Sequence, residues 1–520
     1  MLKKILINLS PSIWPMLGYE IDLIQQKLNE GHIVKILHCD GSPDFCTANN
    51  FKFISNQKIN LFCKYCKSKL NNGINWLDNK KNLIIENFDL LNIDQNKIII
   101  EYDILLKKKK NIDNEILLFL KNINEEIYNI CKTTIIMEKL STNLNFFEKK
   151  NFDFFKKISK STIAAFYSSL NHLQKFIPDE LYIYNGRMYK YQPMLRLAQS
   201  KIKKENIYVY EFPVENYQNM LILKKNYIPD LKNFSHELFE THKKNNINFS
   251  TKEIIAKKWI SDRVSRVNYK KEYYSWKNTQ EINSLPKSFN KNNFNISYFV
   301  SSEYEYFGIK ENEEDYDFKN NLDIINEILR IINSRPGISL NIRCHPNSGN
   351  DIKSFLKELQ KIEKIYRNIK IIEPDSKIDS YELIKNSDLI ITICSTIGIE
   401  AAYFGKNVLN VGNSPYEKFN ATKKIINRND LNLLLQKCLI EKKFDDFPSN
   451  KDKYIGAVNY IYNFINLNYK SKFLIKKNYK ENIMLKNNIF YKLDADWFYK
   501  LIFLTISLIR FFFKKIKIYI

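Results

Sequence analysis

Residues 388–411 read DLIITICSTIGIEAAYFGKNVLNV. After Asp388 an unbroken apolar and β-branched run predicts a strand over 388–393, buried on both faces. Two hydroxyl residues follow, then a small-residue helix over 397–405, then a second apolar run over 407–411. Strand, short helix and strand in so few residues form a β-α-β unit, whose strands run parallel. This stretch decides the fold class: an α/β protein built on a parallel, doubly wound sheet.

Working outward, the same alternation continues. Strands are expected at 295–300, 338–344 and 368–372, with helices at 320–333, 351–365 and 380–386 between them. Helices near 429–441 and 452–466 close the segment. The chain also opens on an alternation of its own: strand 3–9, helix 19–30 and strand 32–39. Asn8 and Ser10 break the first apolar run, which reads as a buried strand rather than a signal peptide. Long helical patterns over 113–139 and 150–177 lead to strand 181–184, helix 189–201 and strand 207–212, whereas 40–110 shows no clear period. The polar, aperiodic stretch 276–293 reads as an interdomain linker. Two Rossmann-like domains facing a cleft are expected. They are an acceptor-side domain, 1–285, with an irregular cysteine-containing segment at 39–70 and a helical insertion, and a nucleotide-sugar domain, 286–470.

The remaining residues, 471–520, form a basic and apolar tail. Its stretch from Trp497 to Phe513 is strongly apolar but is interrupted by Lys500 and Arg510. About 20 clean apolar residues are needed to span a bilayer. An interfacial apolar helix at the cytoplasmic face of the membrane fits this pattern better, with aromatic residues at one end and Lys514, Lys515 and Lys517 at the other.

The formal charge of +24 invites a nucleic-acid reading. The lysines are dispersed, however, and are not interleaved with aromatics along one face, and no nucleic-acid motif is present. An anionic membrane surface suits this charge better.

In open parallel sheets, ligands bind outside the carboxyl ends of the strands. Four stretches end strands there. His345-Pro346 closes the run NIRCHPN, 341–347, and the imidazole can donate to a phosphate oxygen. Ser395 and Thr396 open the helix of the decisive stretch, where free N–H groups and the helix dipole favour an anion. Gly398 there leaves room for a phosphate, and Glu400, about one turn along, can accept from ribose hydroxyls. Ser301 and Ser302 end strand 295–300, and Asn185-Gly186-Arg187 end strand 181–184, with Arg187 suited to an anionic acceptor or donor phosphate.

Taken in order, SSEYEYFGI, IRCHPN, SYELIKNSDLIITICSTIGIEAAYFGK and VGNSPYEKF resemble the bacterial capsular polysaccharide biosynthesis proteins, which include Kdo and other sugar transferases of the GT-B fold. The resemblance implies a metal-independent glycosyltransferase with a nucleotide-sugar donor and a glycan or lipid-linked acceptor. In similar enzymes that use CMP-activated sugars, a His-Pro pair and a hydroxyl pair hold the nucleotide, the places of His345-Pro346 and Ser395-Thr396. It further implies a first-domain carboxylate as acid–base, for which Glu20 and Asp22 in GYEID are the candidates. A nucleotide-sugar 2-epimerase and a non-catalytic glycan-assembly protein are the rival readings.

Cys39, Cys46, Cys63 and Cys66 make C-x6-C-x16-C-x2-C, whose last pair has zinc spacing, so a structural zinc is one expectation and four reduced thiols the other. No cofactor is required by the expected transfer. The triplets Asp315-Tyr316-Asp317 and Asp494-Ala495-Asp496 follow no strand and read as solvated surface.

Overall fold

The computed structural model describes residues 2–10, 16–39, 41, 46, 56–88, 125–142, 149–211, 219–224, 231–265, 280–306, 317–333, 335–346, 349, 351–466, 468–470, 474–477, 482–485 and 490–491. The chain divides into two compact units: residues 1–130, 153–225 and 468–520, and residues 131–152 and 226–467.

The first unit is built from β1 (Lys4–Asn8), α1 (Met16–Asn29), β2 (Ile33–Cys39), α2 (Asn56–Trp76) and β3 (Leu83–Phe88). After the chain passes through α3 (Glu125–Lys139), there follow α4 (Lys149–Lys175), β4 (Glu180–Tyr184), α5 (Gln192–Gln199), β5 (Ile207–Glu211) and β6 (Asn219–Lys224). Its sheet runs in the order β6-β5-β4-β1-β2-β3, with the returning strand Asn468–Lys470 outside β6. The pairings from β3 across to β5 are parallel, and the β6 edge is antiparallel. Ile5, Leu6 and Ile7 are wholly buried, so β1 is covered on both faces, as its uniform apolar run requires.

The second unit begins with α6 (Leu231–Lys244) and α7 (Phe249–Ser265). It continues through β7 (Phe294–Phe299), α8 (Asn321–Ile332), β8 (Ile338–Arg343), α9 (Ile352–Ile365), β9 (Ile369–Ile372) and α10 (Ser380–Asn386). It closes with β10 (Leu389–Thr392), α11 (Thr396–Tyr403), β11 (Asn407–Val411), β12 (Lys423–Ile425), α12 (Arg428–Gln436) and α13 (Asn450–Asn466). All six strands are parallel, in the order β12-β11-β10-β7-β8-β9. On β10, Leu389 and Ile391 enter the core formed with α8 and α12, while Ile390 enters the opposite core with α11 and α13. The decisive stretch is therefore a buried parallel β-α-β unit.

The expected boundary near residue 285 lies too late. Leu238 of α6 and Ala256 and Ile260 of α7 belong to the same core as Ile399, Ala402 and Ile461. Their apolar faces are buried in the second unit, whose main segment starts at residue 226, about fifty residues before the polar stretch read as a linker. The segment 40–110, where no period is legible, contains α2 and β3. The basic tail contributes a small antiparallel sheet of Leu474–Lys477, Asn482–Leu485 and Phe490–Tyr491. The expected apolar helix 497–513 and Asp494-Ala495-Asp496 lie outside the described residues, as do Asp315 and Tyr316. Among the described residues, no helix is long and apolar enough to cross a membrane.

Candidate functional site

In the second unit the chain builds β7, β8 and β9 in one direction across the sheet, and β10, β11 and β12 in the other. The direction reverses between β7 and β10, the switch point where open parallel sheets form a crevice. Ser301 and Ser302 follow β7, His345 follows β8, and Cys394 and Ser395 follow β10.

Two of these side chains meet there. Ser302 Oγ lies 3.1 Å from His345 Nδ1. The Ser301 hydroxyl donates to the Ile393 carbonyl, tying the end of β7 to the end of β10. Burial, assisted by the Arg343 charge, lowers the His345 pKa to about 4, so the imidazole is neutral at pH 7. In the tautomer that accepts from Ser302 at Nδ1, the neutral ring carries its proton on Nε2 and can donate there; in the other tautomer Nδ1 donates to Ser302. Pro346 ends the strand behind it.

The start of α11 is more occupied than the sequence suggests. Cys394 takes a left-handed φ of 50°, a strained conformation for a residue with a Cβ, and this turns the chain from strand to helix within a few residues. Ser395 then caps the helix, its Oγ accepting from Ile397 N at 3.3 Å. Gly398 N donates to Ser395 O at 3.0 Å. Two first-turn N–H groups are thereby satisfied within the protein. Thr396 Oγ1 accepts from Arg263 Nη2 at 3.3 Å, so its hydroxyl faces α7.

Two expectations are corrected here. A Cβ on Gly398 would lie 2.3 Å from Tyr416 Oη and 3.0 Å from its Cζ. Glycine is required by the close approach of a tyrosine, not by that of a phosphate. The Tyr416 hydroxyl is held at 2.8 Å from the Ser395 carbonyl and 3.0 Å from Asn410 Oδ1. Gly398→Ala should therefore cost about 1–3 kcal/mol by overpacking. Chemical denaturation should show part of that loss restored when Tyr416→Phe removes the hydroxyl. An alanine variant as stable as the unaltered protein would contradict the contact.

Glu400 is not turned toward a ribose either. It is wholly buried, with Oε1 2.9 Å from Arg263 Nη2 and Oε2 accepting from the Tyr381 hydroxyl at 2.7 Å. The Arg263 guanidinium also lies over the Trp259 ring, 4.3 Å from its centroid. The carboxylate between Ile399 and Ala401 is tolerated because an arginine from α7 neutralises it. Arg263 was not legible as its partner, since it lies 133 positions from Thr396, which it also contacts.

The first unit has its own switch point, between β1 and β4. Asn185 and Gly186 both take left-handed φ values, 55° and 67°, turning the chain at the end of β4. Asn185 N donates to the Tyr210 carbonyl at 2.7 Å, and Asn185 Oδ1 accepts from Arg187 N at 3.2 Å. Arg187 is itself buried.

Glu20 lies wholly buried beside these residues. Its Oε1 accepts from Ser10 N at 2.6 Å and from the Tyr210 hydroxyl at 2.5 Å. Burial raises its carboxyl to about 7, against the opposing hydrogen bonds of Tyr210 and Ser10 and the charge of Lys190. Lys190 is also buried and donates to the Leu9 carbonyl at 3.1 Å, with the Tyr191 ring 5.1 Å away. Neither Ser10, Tyr210 nor Lys190 is legible from the sequence as a neighbour of Glu20. The one available signal was a lysine between aromatic residues in MYKYQP.

Asp22 does not share this position. Two residues along a helix is a rotation of about 200°, and Asp22 Oδ2 accepts from Gln26 Nε2 at 3.0 Å on its own helix. Of the two carboxylates, Glu20 is the one at the end of β1.

The structural zinc stays an expectation beside that of four reduced thiols. Cys39, Cys46, Cys63 and Cys66 form no disulfide, and among the described residues no three His, Cys, Asp or Glu side chains are grouped to hold a metal ion.

The second unit's sequence can now be placed. Residues 250–424 match the capsule polysaccharide biosynthesis protein family. This capsule-synthesis match covers both strand-end motifs and starts in α7, so it takes in Arg263 as well as Glu400. No curated protein matches the chain. Among solved structures, the chain is similar to the Thermosulfurimonas dismutans KpsC beta Kdo 2,4 transferase, at 13% identity over 54% of this chain and 79% of that one, with a TM-score of 0.35. It is similar to a UDP-GlcNAc 2-epimerase from Neisseria meningitidis, at 12% identity over 90% and 100%, with a TM-score of 0.26. It is also similar to a Rickettsia africae glycosyltransferase, at 11% identity over 89% and 94%, with a TM-score of 0.29. These structural likenesses are loose and assign no activity to this chain.

Proposed function

We propose that the protein is a glycosyltransferase of surface polysaccharide synthesis, moving a sugar from a nucleotide-activated donor to a glycan or lipid-linked acceptor. The observation that carries this reading is the Ser302–His345 pair at the switch point of a parallel sheet, within the segment that matches the capsule-synthesis family. The donor binds the second unit at the carboxyl ends of β7, β8 and β10. His345 donates to a phosphate oxygen, and the dipole of α11 adds a favourable field. Stabilisation of the leaving phosphate by protein groups needs no metal ion.

Glu20 of the first unit is the acceptor's base. A carboxyl with a pKa near 7 is half ionised at neutral pH and basic enough to take a proton from a hydroxyl as it attacks. Asn185 and Arg187, at the neighbouring strand end, contribute to acceptor recognition. A CMP-activated donor is our first choice, on the His-Pro and hydroxyl pairs.

Calorimetric titration with CMP, UDP and GDP tests the donor site. His345→Ala should weaken the preferred nucleotide about 10- to 100-fold, the loss of one strong hydrogen bond, without changing the unfolding midpoint. An unchanged affinity in the folded variant would remove the phosphate role.

The tail is proposed as a peripheral attachment to the inner membrane face, on the strength of its interrupted apolar run and terminal lysines. Deleting residues 497–520 should move the protein from the membrane fraction to the soluble one with nucleotide binding intact. A full-length protein found entirely in the soluble fraction contradicts the attachment.

A further inference from the structure

Arg343, the last residue of β8, is buried at 3% exposure, and nothing so far gives it a role. Its Nη1 donates to the Glu373 carbonyl at 2.7 Å, but its Nη2 is buried with no hydrogen-bond partner. Among the described residues no carboxylate forms an ion pair with it, whereas Arg263, the other buried arginine of this unit, has Glu400. A guanidinium removed from water without a counter-charge is costly, and such groups are normally paired. The field of Asp375 favours this charge without an ion pair, and the guanidinium lies two residues before His345, close enough to depress the imidazole's pKa. The N–H groups of Ile397 and Gly398 at the start of α11 are meanwhile engaged within the protein.

We propose that Arg343 supplies the positive charge that recognises the donor's phosphate, so that the anion site of this unit centres on the end of β8 rather than on the first turn of α11. This rests on the reading of the second unit as a nucleotide-sugar site. In the unliganded protein the guanidinium has the field of Asp375 but no ion pair among the described residues. A nucleotide phosphate at the strand ends balances it, through its field and through the spare N–H, with His345 as the neutral donor alongside. Burial lowers the Arg343 pKa to about 10, which leaves the group charged throughout the neutral range.

The proposal separates phosphate recognition from nucleoside recognition. Calorimetry on the full chain would compare CMP with cytidine and UDP with uridine, for the unaltered protein, Arg343→Gln and Arg343→Met. Both variants should lose about 10- to 100-fold in affinity for the nucleotide that binds and keep their nucleoside affinity within about twofold. Methionine is the variant chosen for safe folding, because replacing a buried charge with an apolar chain is often neutral or stabilising. Without ligand, Arg343→Met should unfold at a temperature no lower than the unaltered protein.

Equal losses for nucleotide and nucleoside, unchanged nucleotide affinity, or marked destabilisation of the unliganded methionine variant would each overturn the proposal and assign Arg343 a structural role. If none of CMP, UDP and GDP binds the unaltered protein, the nucleotide-site reading itself fails and this inference falls with it.

Discussion

Glu400→Gln is expected to destabilise the second unit by about 3–5 kcal/mol, the cost of leaving one partner of a buried ion pair uncompensated. The side chains of Glu400 and Arg263 are 0% and 8% exposed, so water cannot replace the lost charge. Glutamine keeps the shape and leaves the Tyr381 hydroxyl a partner, which confines the change to the charge. Adding Arg263→Met to Glu400→Gln should return much of the loss, and chemical denaturation of the two single variants and the double variant measures the coupling. The Trp259 ring over Arg263 gives a fluorescence signal local to the pair. A loss below about 1 kcal/mol would mean the pair is solvated and its charge unimportant. Because Glu400 faces α7, ribonucleotides and deoxyribonucleotides should lose affinity equally in any folded variant.

Glu20→Gln is expected to lower transfer about 10²- to 10⁴-fold, the usual contribution of a general base. The unaltered protein should show a rate that rises with pH through about 7, because the base acts in its ionised form. Stability should move in the opposite direction. The folded-state pKa of about 7 lies above the unfolded value of 4.5, so between them the folded state holds more protons than the unfolded state. The protein is therefore favoured at low pH and loses about 3 kcal/mol as pH rises through that window. Glutamine removes this dependence, so the variant should be less active and, at pH 8, more stable. A variant that keeps transfer activity, or a stability that rises between pH 5 and 7 because of Glu20, would contradict the assignment.

The parts of this protein that the sequence made legible share one property: their signals are local. A buried parallel strand is a continuous apolar run, and β10 and β11 could be read because Leu389–Thr392 and Asn407–Val411 need no distant partner to explain them. His345 and Ser302 could be chosen because each ends such a run, and the sheet order then brought them within 3.1 Å. The reasons that stayed hidden involve residues distant in the chain. Gly398 is small because Tyr416 lies over it, and Glu400 is charged because Arg263 of an earlier helix meets it. The sequence offered a phosphate and a ribose for these two positions, and the protein supplies its own side chains instead. Likewise α6 and α7 lie before the polar linker in sequence but bury Leu238 and Ile260 in the second core, so a boundary drawn from composition fell too late. Glu20 was one of two candidates in GYEID, and only the fold separates them, by placing Ser10 and Tyr210 on Glu20 and Gln26 on Asp22.

The central claim is sugar transfer, and following a labelled sugar tests it most directly. The purified full-length protein would be incubated with CMP-, UDP- and GDP-sugars labelled in the sugar, together with a detergent-solubilised glycolipid fraction. Chromatography would then follow both the label and the released nucleotide. The account predicts that, with one donor, label leaves the nucleotide sugar for a larger glycan as free nucleotide accumulates in equal amount, and that Glu20→Gln and His345→Ala both slow this transfer. Label that stays on the nucleotide as a 2-epimer, with no glycan formed, would contradict the claim and establish the epimerase reading instead.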